Sequence, residues 1–277
     1  MPNSIDSALS TKQMATLAAN ILQAPLAPLN RIATIIPNAA IDQDRKTFTL
    51  PIVSSIAAKL TDPTSFQNGD TTLGVATVAA AHITRPAHLS NKERSQGLKL
   101  ESLIPSLASQ FAADVLALAV TQISAANYAA AVATVAPASF AMSHVSTLAQ
   151  AIAGTPRSLL LKSQLMQNIT ASMSLENGNW FLPGFNGGIF ECDLSTASNS
   201  AQAVVATPEA IVFAIALPPN IPDGEIEVAP IELPGIGVVG WLTRWTDRSS
   251  RAEWISVEAL VGFAPGNPAA LRFAAST

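Results

Sequence analysis

The residues of this chain that could do chemistry are few and widely separated. Gly235-Ile236-Gly237-Val238-Val239-Gly240 has the spacing of a dinucleotide-binding turn, and Glu258 falls near the place of the later acid. That chemistry needs a strand before the glycines and a helix whose N-terminus receives the pyrophosphate. Here Pro230 and Pro234 precede the glycines and residues 239–245 read as a strand, so the glycines are expected at a strand start. His82, His88 and His144 are the only histidines and Cys192 the only cysteine; no two of them have the short ligand spacing of a zinc site. A Gly-x-Ser-x-Gly elbow is absent. Asp114 stands alone on an otherwise uncharged helical segment. Buried, it would be a perturbed acid; the preferred reading is a charge facing solvent or a partner's basic residue. Asp42 and Asp44 could offer oxygens to Ca²⁺, but Arg45 and Lys46 beside them favour a solvated loop. No catalytic, cofactor-binding or metal site is expected, and no cofactor or enzymatic activity.

The composition is the louder signal. Of 277 residues 49% are hydrophobic and 12% charged, about half the usual quarter for a globular chain. Such apolar content excludes disorder, and one cysteine excludes a disulfide framework. A folded monomer of 28.7 kDa exposes roughly 11,000 Å², and 34 formal charges, 15 basic and 19 acidic, must serve it. Coverage by partners is the favoured explanation. A membrane span is not expected: residues 102–156 carry one charge, Asp114, but their longest purely apolar run is 115–120, far short of about 18 residues. The first ten residues show no basic segment followed by an apolar one, so no secretory signal is read, and the chain is expected to be soluble. Residues 1–100 hold nine Lys/Arg against six Asp/Glu and the remainder six against thirteen. No basic run marks a sequence-reading nucleic-acid domain.

The elements that would position these residues come next. Residues 11–24 place Met14, Leu17, Ile21 and Leu22 on one helical face, with Pro25 and Pro28 as the stop; this arm cannot bury its stripe alone. Residues 47–52 and 75–83 alternate with period two around turn signals at Asp62-Pro63 and Asn68-Gly69-Asp70. Two strands so joined form no core, so this flap is expected to lie on a neighbour. Lys59, Asp62, Phe66 and Asp70 near its tip are expected contact residues, Phe66 as the anchor. Residues 103–128 carry Leu107, Phe111, Val115 and Leu118 at helical steps with Pro105 in the first turn, predicting a helix of six turns with those four side chains buried. Beyond it, helices are predicted at 145–152, 163–170 and 207–217, the last from Thr207-Pro208-Glu209 as cap, proline and acid. Strands are predicted at 157–161, 189–192 and 270–273, with a long hairpin at 236–245 and 251–263.

This order of parts resembles the major capsid protein of tailed bacteriophages, the Hong Kong 97-like fold that encapsulins share. Gly97-Leu98-Lys99-Leu100-Glu101 leading into 107–123 is similar to the start of that family's spine helix. Pro156 to Leu161 resembles its strand before a short axial helix, Ala206 to Ile211 its late helix, and 241–262 its closing hairpin. The resemblance implies an α+β chain with an N-terminal arm (1–37), an extended loop (38–95), a peripheral domain with the spine helix (96–128 and 236–265) and an axial domain (129–235 and 266–277). It implies a coat protein forming pentamers and hexamers of an icosahedral shell around double-stranded DNA, without catalysis, in a virion assembled in the host cytoplasm. A separate scaffolding protein is expected, since no long helical segment precedes the arm, with a portal and a decoration protein as further partners. An encapsulin-like shell around protein cargo and a soluble α+β enzyme are the alternatives.

Overall fold

A computed structural model describes residues 9–42, 46–55, 72–152, 154–176, 179–218, 226–247, 249 and 252–277. Helix α1 (Thr11–Leu26) starts at a capping box in which Ser10 accepts from the Gln13 amide and Gln13 Oε1 accepts from the Ser10 amide. It runs two residues past the expected stop, with Pro25 inside its last turn, where it lacks the amide that would donate to the carbonyl four residues back. A short α2 (Leu29–Ile32) then leads into β1 (Ala33–Pro37). The flap is the antiparallel pair β2 (Thr47–Ser55) and β3 (Thr72–Ala79). The second alternating run does not belong wholly to the flap. It breaks at Ala80, whose amide donates to the Lys46 carbonyl, and continues as β4 (Ala81–Ser90), followed by α3 (Asn91–Ser95).

The spine helix α4 spans Ile104–Thr121 after a 3-10 turn at Leu100–Leu103, shorter than predicted. Buried Ile123 marks the break, and the Ser124 hydroxyl caps a separate α5 (Ala125–Tyr128) by accepting from the Asn127 amide. The 3-10 turn and α4 together are long and apolar enough to cross a membrane by composition, with a mean hydropathy of 1.6. In this fold they pack on α1, β4 and the sheet.

A middle region supplies β5 (Ala133–Thr134), α6 (Met142–Gln150), β6 (Ser158–Leu161), α7 (Ser163–Ile169), β7 (Ser174–Glu176), β8 (Asn179–Phe181), β9 (Gly188–Glu191) and β10 (Ala201–Ala206). The predicted helix at 207–217 is instead a turn followed by β11 (Ile211–Ala216). The reason is burial on both faces. Ile211, Phe213 and Ile215 enter the main core, while Val212, Ala214 and Ala216 enter a second cluster under the flap. A strand covered on both sides shows no polar phase to tell it from a helix. The chain closes with β12 (Ile226–Leu233), β13 (Gly237–Asp247), β14 (Ala252–Pro265) and β15 (Leu271–Ala275).

Two sheets result. In the six-stranded sheet β14 is the centre: Glu258 is bracketed by Thr84 and Trp241, and Leu260 by His82 and Ala216. Strands β13 and β11 therefore lie end to end along one side of β14, and β4 runs along the other. Strand β1 extends the sheet beyond β11 and β12 beyond β13. The odd-numbered Ile255, Val257, Ala259, Val261 and Phe263 share a core with α1 and α4. The five-stranded sheet, ordered β5-β15-β10-β6-β9, turns Leu159, Leu161, Ala203 and Val205 toward α6 and α7. Its other face, through Leu160, Val204 and Phe273, joins the main core.

Candidate functional site

The residues that looked chemical are structural. Gly235 and Gly237 have φ of +81° and +89° and turn β12 into β13, with no helix for a pyrophosphate. His82 Nε2 lies 3.4 Å from Glu258 Oε2, which shares its carboxylate with the Thr243 hydroxyl. His88 stacks on Trp254 at 4.5 Å, and His144 accepts from the Ala141 amide at the start of α6. Burial pushes the Cys192 thiol up to about 11, which keeps it protonated and unreactive. Among the described residues no cluster of His, Cys, Asp and Glu could hold a metal.

Asp114 is paired within the chain. Arg85 on β4 grips it bidentately, Nε and Nη2 donating at 2.5 and 2.6 Å, which ties β4 to α4. A more buried tie lies at the far end of the sheet. Glu253 receives Arg244 from β13, at 2.6 Å from Nε, and Arg94 from α3 at 3.3 Å. Arg244 also reaches Glu227 on β12, to which the Thr11 hydroxyl of α1 donates. No local pattern marks this network, because its members come from α1, α3, β12, β13 and β14.

The flap is the remaining candidate, and its root is the part with defined packing. Asp42 accepts from the Lys46 and Thr47 amides and the Thr47 hydroxyl; these bonds hold its carboxyl below the usual range. Contrary to expectation, the root adds to a core. Phe48 and Leu50 are fully buried against Val212, Ala214, Ala216, Leu260 and Ala264, the small-residue face of β11 and β14. Lys59, Asp62, Phe66 and Asp70 lie outside the described residues. Leu107, Phe111 and Val115 are buried in the main core, and Leu118 is half-buried at its margin.

Away from the flap root the same sheet face carries a cross-strand row, His88, Trp254, Trp245 and Ile226. Trp241, Trp245 and Trp254 are half-buried there and join none of the buried apolar clusters. Trp241 donates to the Pro218 carbonyl at 3.1 Å, while the Trp254 indole N–H is buried without an acceptor.

No family model and no curated protein matches the chain. Solved structures do. The virus-like particle of Pyrococcus furiosus is similar with a TM-score of 0.57 at 11% identity, over 96% of this chain and 100% of that one. The capsid of a native GTA particle gives 0.56 at 14% identity, over 100% and 94%. The capsid of the cyanophage P-SCSP1u gives 0.50 at 11%, over 89% of each. At such identities the likeness is one of architecture, and it spans the chain from arm to closing strand: this protein has the Hong Kong 97-like capsid fold.

Proposed function

We propose that the chain is the coat subunit of an icosahedral shell, built from pentamers and hexamers of itself around double-stranded DNA, within a virion assembled in the host cytoplasm. What carries the reading is a fold matched end to end by shell proteins, together with a flap seated at its root. A charge-poor surface fits a subunit ringed by copies of itself, since interface cores are depleted of charge. The flap would complete its burial on an adjacent subunit, Phe66 as the apolar anchor and Lys59, Asp62 and Asp70 at the rim. Rim pairs are worth about 0–1 kcal/mol each, so Phe66 would dominate. In this reading residues 96–128 and 236–265, with α4, β13 and β14, form the peripheral domain, and residues 129–235 and 266–277, which include the five-stranded sheet, the axial one. Scaffolding, portal and decoration proteins are the partners this reading calls for, and it needs no catalytic step or cofactor.

Replacing residues 61–72 by a short Gly/Ser turn tests it. The expected variant keeps its circular dichroism and monomer melting but forms no shells under negative-stain microscopy; normal shells would overturn the clamp. A second reading, a shell around protein cargo, is favoured by an open groove of about 630 Å³ between α1 and β12, lined by Lys12, Thr16, Asn20, Val228, Pro230 and Glu232. Particles filled with protein instead of nucleic acid would select it.

A further inference from the structure

We infer that Phe48 and Gly262 form a socket that sets the angle at which the flap leaves the subunit, making both positioning residues for assembly. The inference rests on the shell reading for its consequence but not for its geometry. Phe48 is fully buried on β2. Gly262 lies on β14 between Val261 and Phe263, and its φ is not in the left-handed region. Nothing in the backbone conformation calls for glycine there. What calls for it is space: a Cβ at 262 would stand 2.5 Å from Phe48 Cδ2, 3.0 Å from Phe48 Cε2 and 3.4 Å from the Ala79 carbonyl. The aromatic ring of one flap strand and the backbone end of the other thus rest on the same missing side chain.

The ring cannot turn away to admit a methyl group. It is enclosed by Val212, Ala214, Ala216, Leu260 and Ala264, and a close-packed interior transmits such a displacement instead of absorbing it. The flap side has a second fixed point, since Ala80 N–H donates to Lys46 O at 2.7 Å and Asp42 ties the incoming strand to Thr47. Pushed at Phe48 and held at Ala80, the ladder would tilt as a unit. Eight residue pairs span Thr47 to Ser55, so a sub-ångström shift at the root becomes a larger one at the far end.

The test reads the angle directly, without requiring shells. Spin labels are attached to the variants Ser55→Cys, at the far end of the described ladder, and Ser109→Cys, an exposed position on α4, in a Cys192→Ala background; the distance distribution is measured on unassembled subunits. Gly262→Ala is expected to move or broaden that distribution, and Gly262→Ala combined with Phe48→Leu to bring it back toward the starting value. An unchanged distribution in Gly262→Ala overturns the socket. If Gly262→Ala fails to fold, Phe48→Leu alone decides: it must broaden the distribution, and a distribution as narrow as the unsubstituted one overturns the socket equally. Microscopy of the same samples separates the two readings. A moved angle with lost or misshapen shells, restored in the double variant, supports both. A moved angle in a protein that never assembles, substituted or not, even with a scaffolding protein supplied, keeps the socket and removes the shell reading.

Discussion

Helix α1 sinks Met14, Ala18, Leu22 and Leu26 into the subunit that carries it, whereas the flap, among its described side chains, does so through Phe48 and Leu50 at its root. Both are local structures too small to bury an apolar face of their own. A single helix has one stripe, and a two-stranded ladder is marginal in water without a third layer. The difference lies in what each meets. Helix α1 runs along α4 and β12, and alanines on the buried faces of both helices, Ala15 and Ala18 on one and Ala108 and Ala112 on the other, let helix axes approach closely. The flap meets the sheet at its root, over one end of β11 and β14. Folding is complete for the helix within one chain; for the flap, in our reading, it waits on a neighbour.

The comparison breaks most easily in the core that α1 shares. Phe111→Ala, on the buried face of α4, should cost about 3–5 kcal/mol through lost transfer energy and a cavity, read as a lower melting temperature and reduced soluble yield. Leu22→Ala should follow closely, at about 2–5 kcal/mol, in isolated subunits. If Leu22→Ala leaves subunit melting intact and impairs assembly instead, α1 behaves as the flap does and the contrast is gone.

Smaller effects sharpen it. Asp114→Asn removes the bidentate tie between β4 and α4, whose side chains are 32% and 39% exposed for Asp114 and Arg85, so about 0–1 kcal/mol is expected by denaturant melts. A loss several times larger would mean that β4, the strand leaving the flap, is held by charge more than by its pairing with β14. The smallest effect concerns Asp42. Its carboxyl sits below the ordinary value of 3.8 because amides of the flap root donate to it. Its contribution is therefore present above that value and lost as the pH falls through the lowered one. Protection factors at residues 46–50, taken relative to the intrinsic exchange rate at each pH, should fall on acidification below pH 3.8, and Asp42→Asn should show much of that loss of protection at neutral pH. Protection that ignores both changes would show that the root is held without Asp42, by Phe48, Leu50 and the bond from Ala80 to Lys46.

Periodicity and punctuation in the sequence were enough for α4 with Leu107, Phe111 and Val115 inward, for the β13–β14 hairpin, and for the alternation of the flap strands. These are local patterns: spacing of three and four, spacing of two, and turn residues between. The order of such elements also carried the resemblance that the fold comparisons support. Tertiary structure alone decided the rest. Ile211-Val212-Phe213-Ala214-Ile215-Ala216 is apolar at every position and so has no phase; it is a strand because β1 and β14 stand on its two sides. The alternating run through residue 83 is divided between flap and sheet by the pairing of β4 with β14 along ten residues, which no local signal specifies. Arg85 finds Asp114, Glu253 finds Arg94, and Phe48 finds the space at Gly262 for the same reason: each partner is distant in the chain, and only the packed sheet brings it within reach.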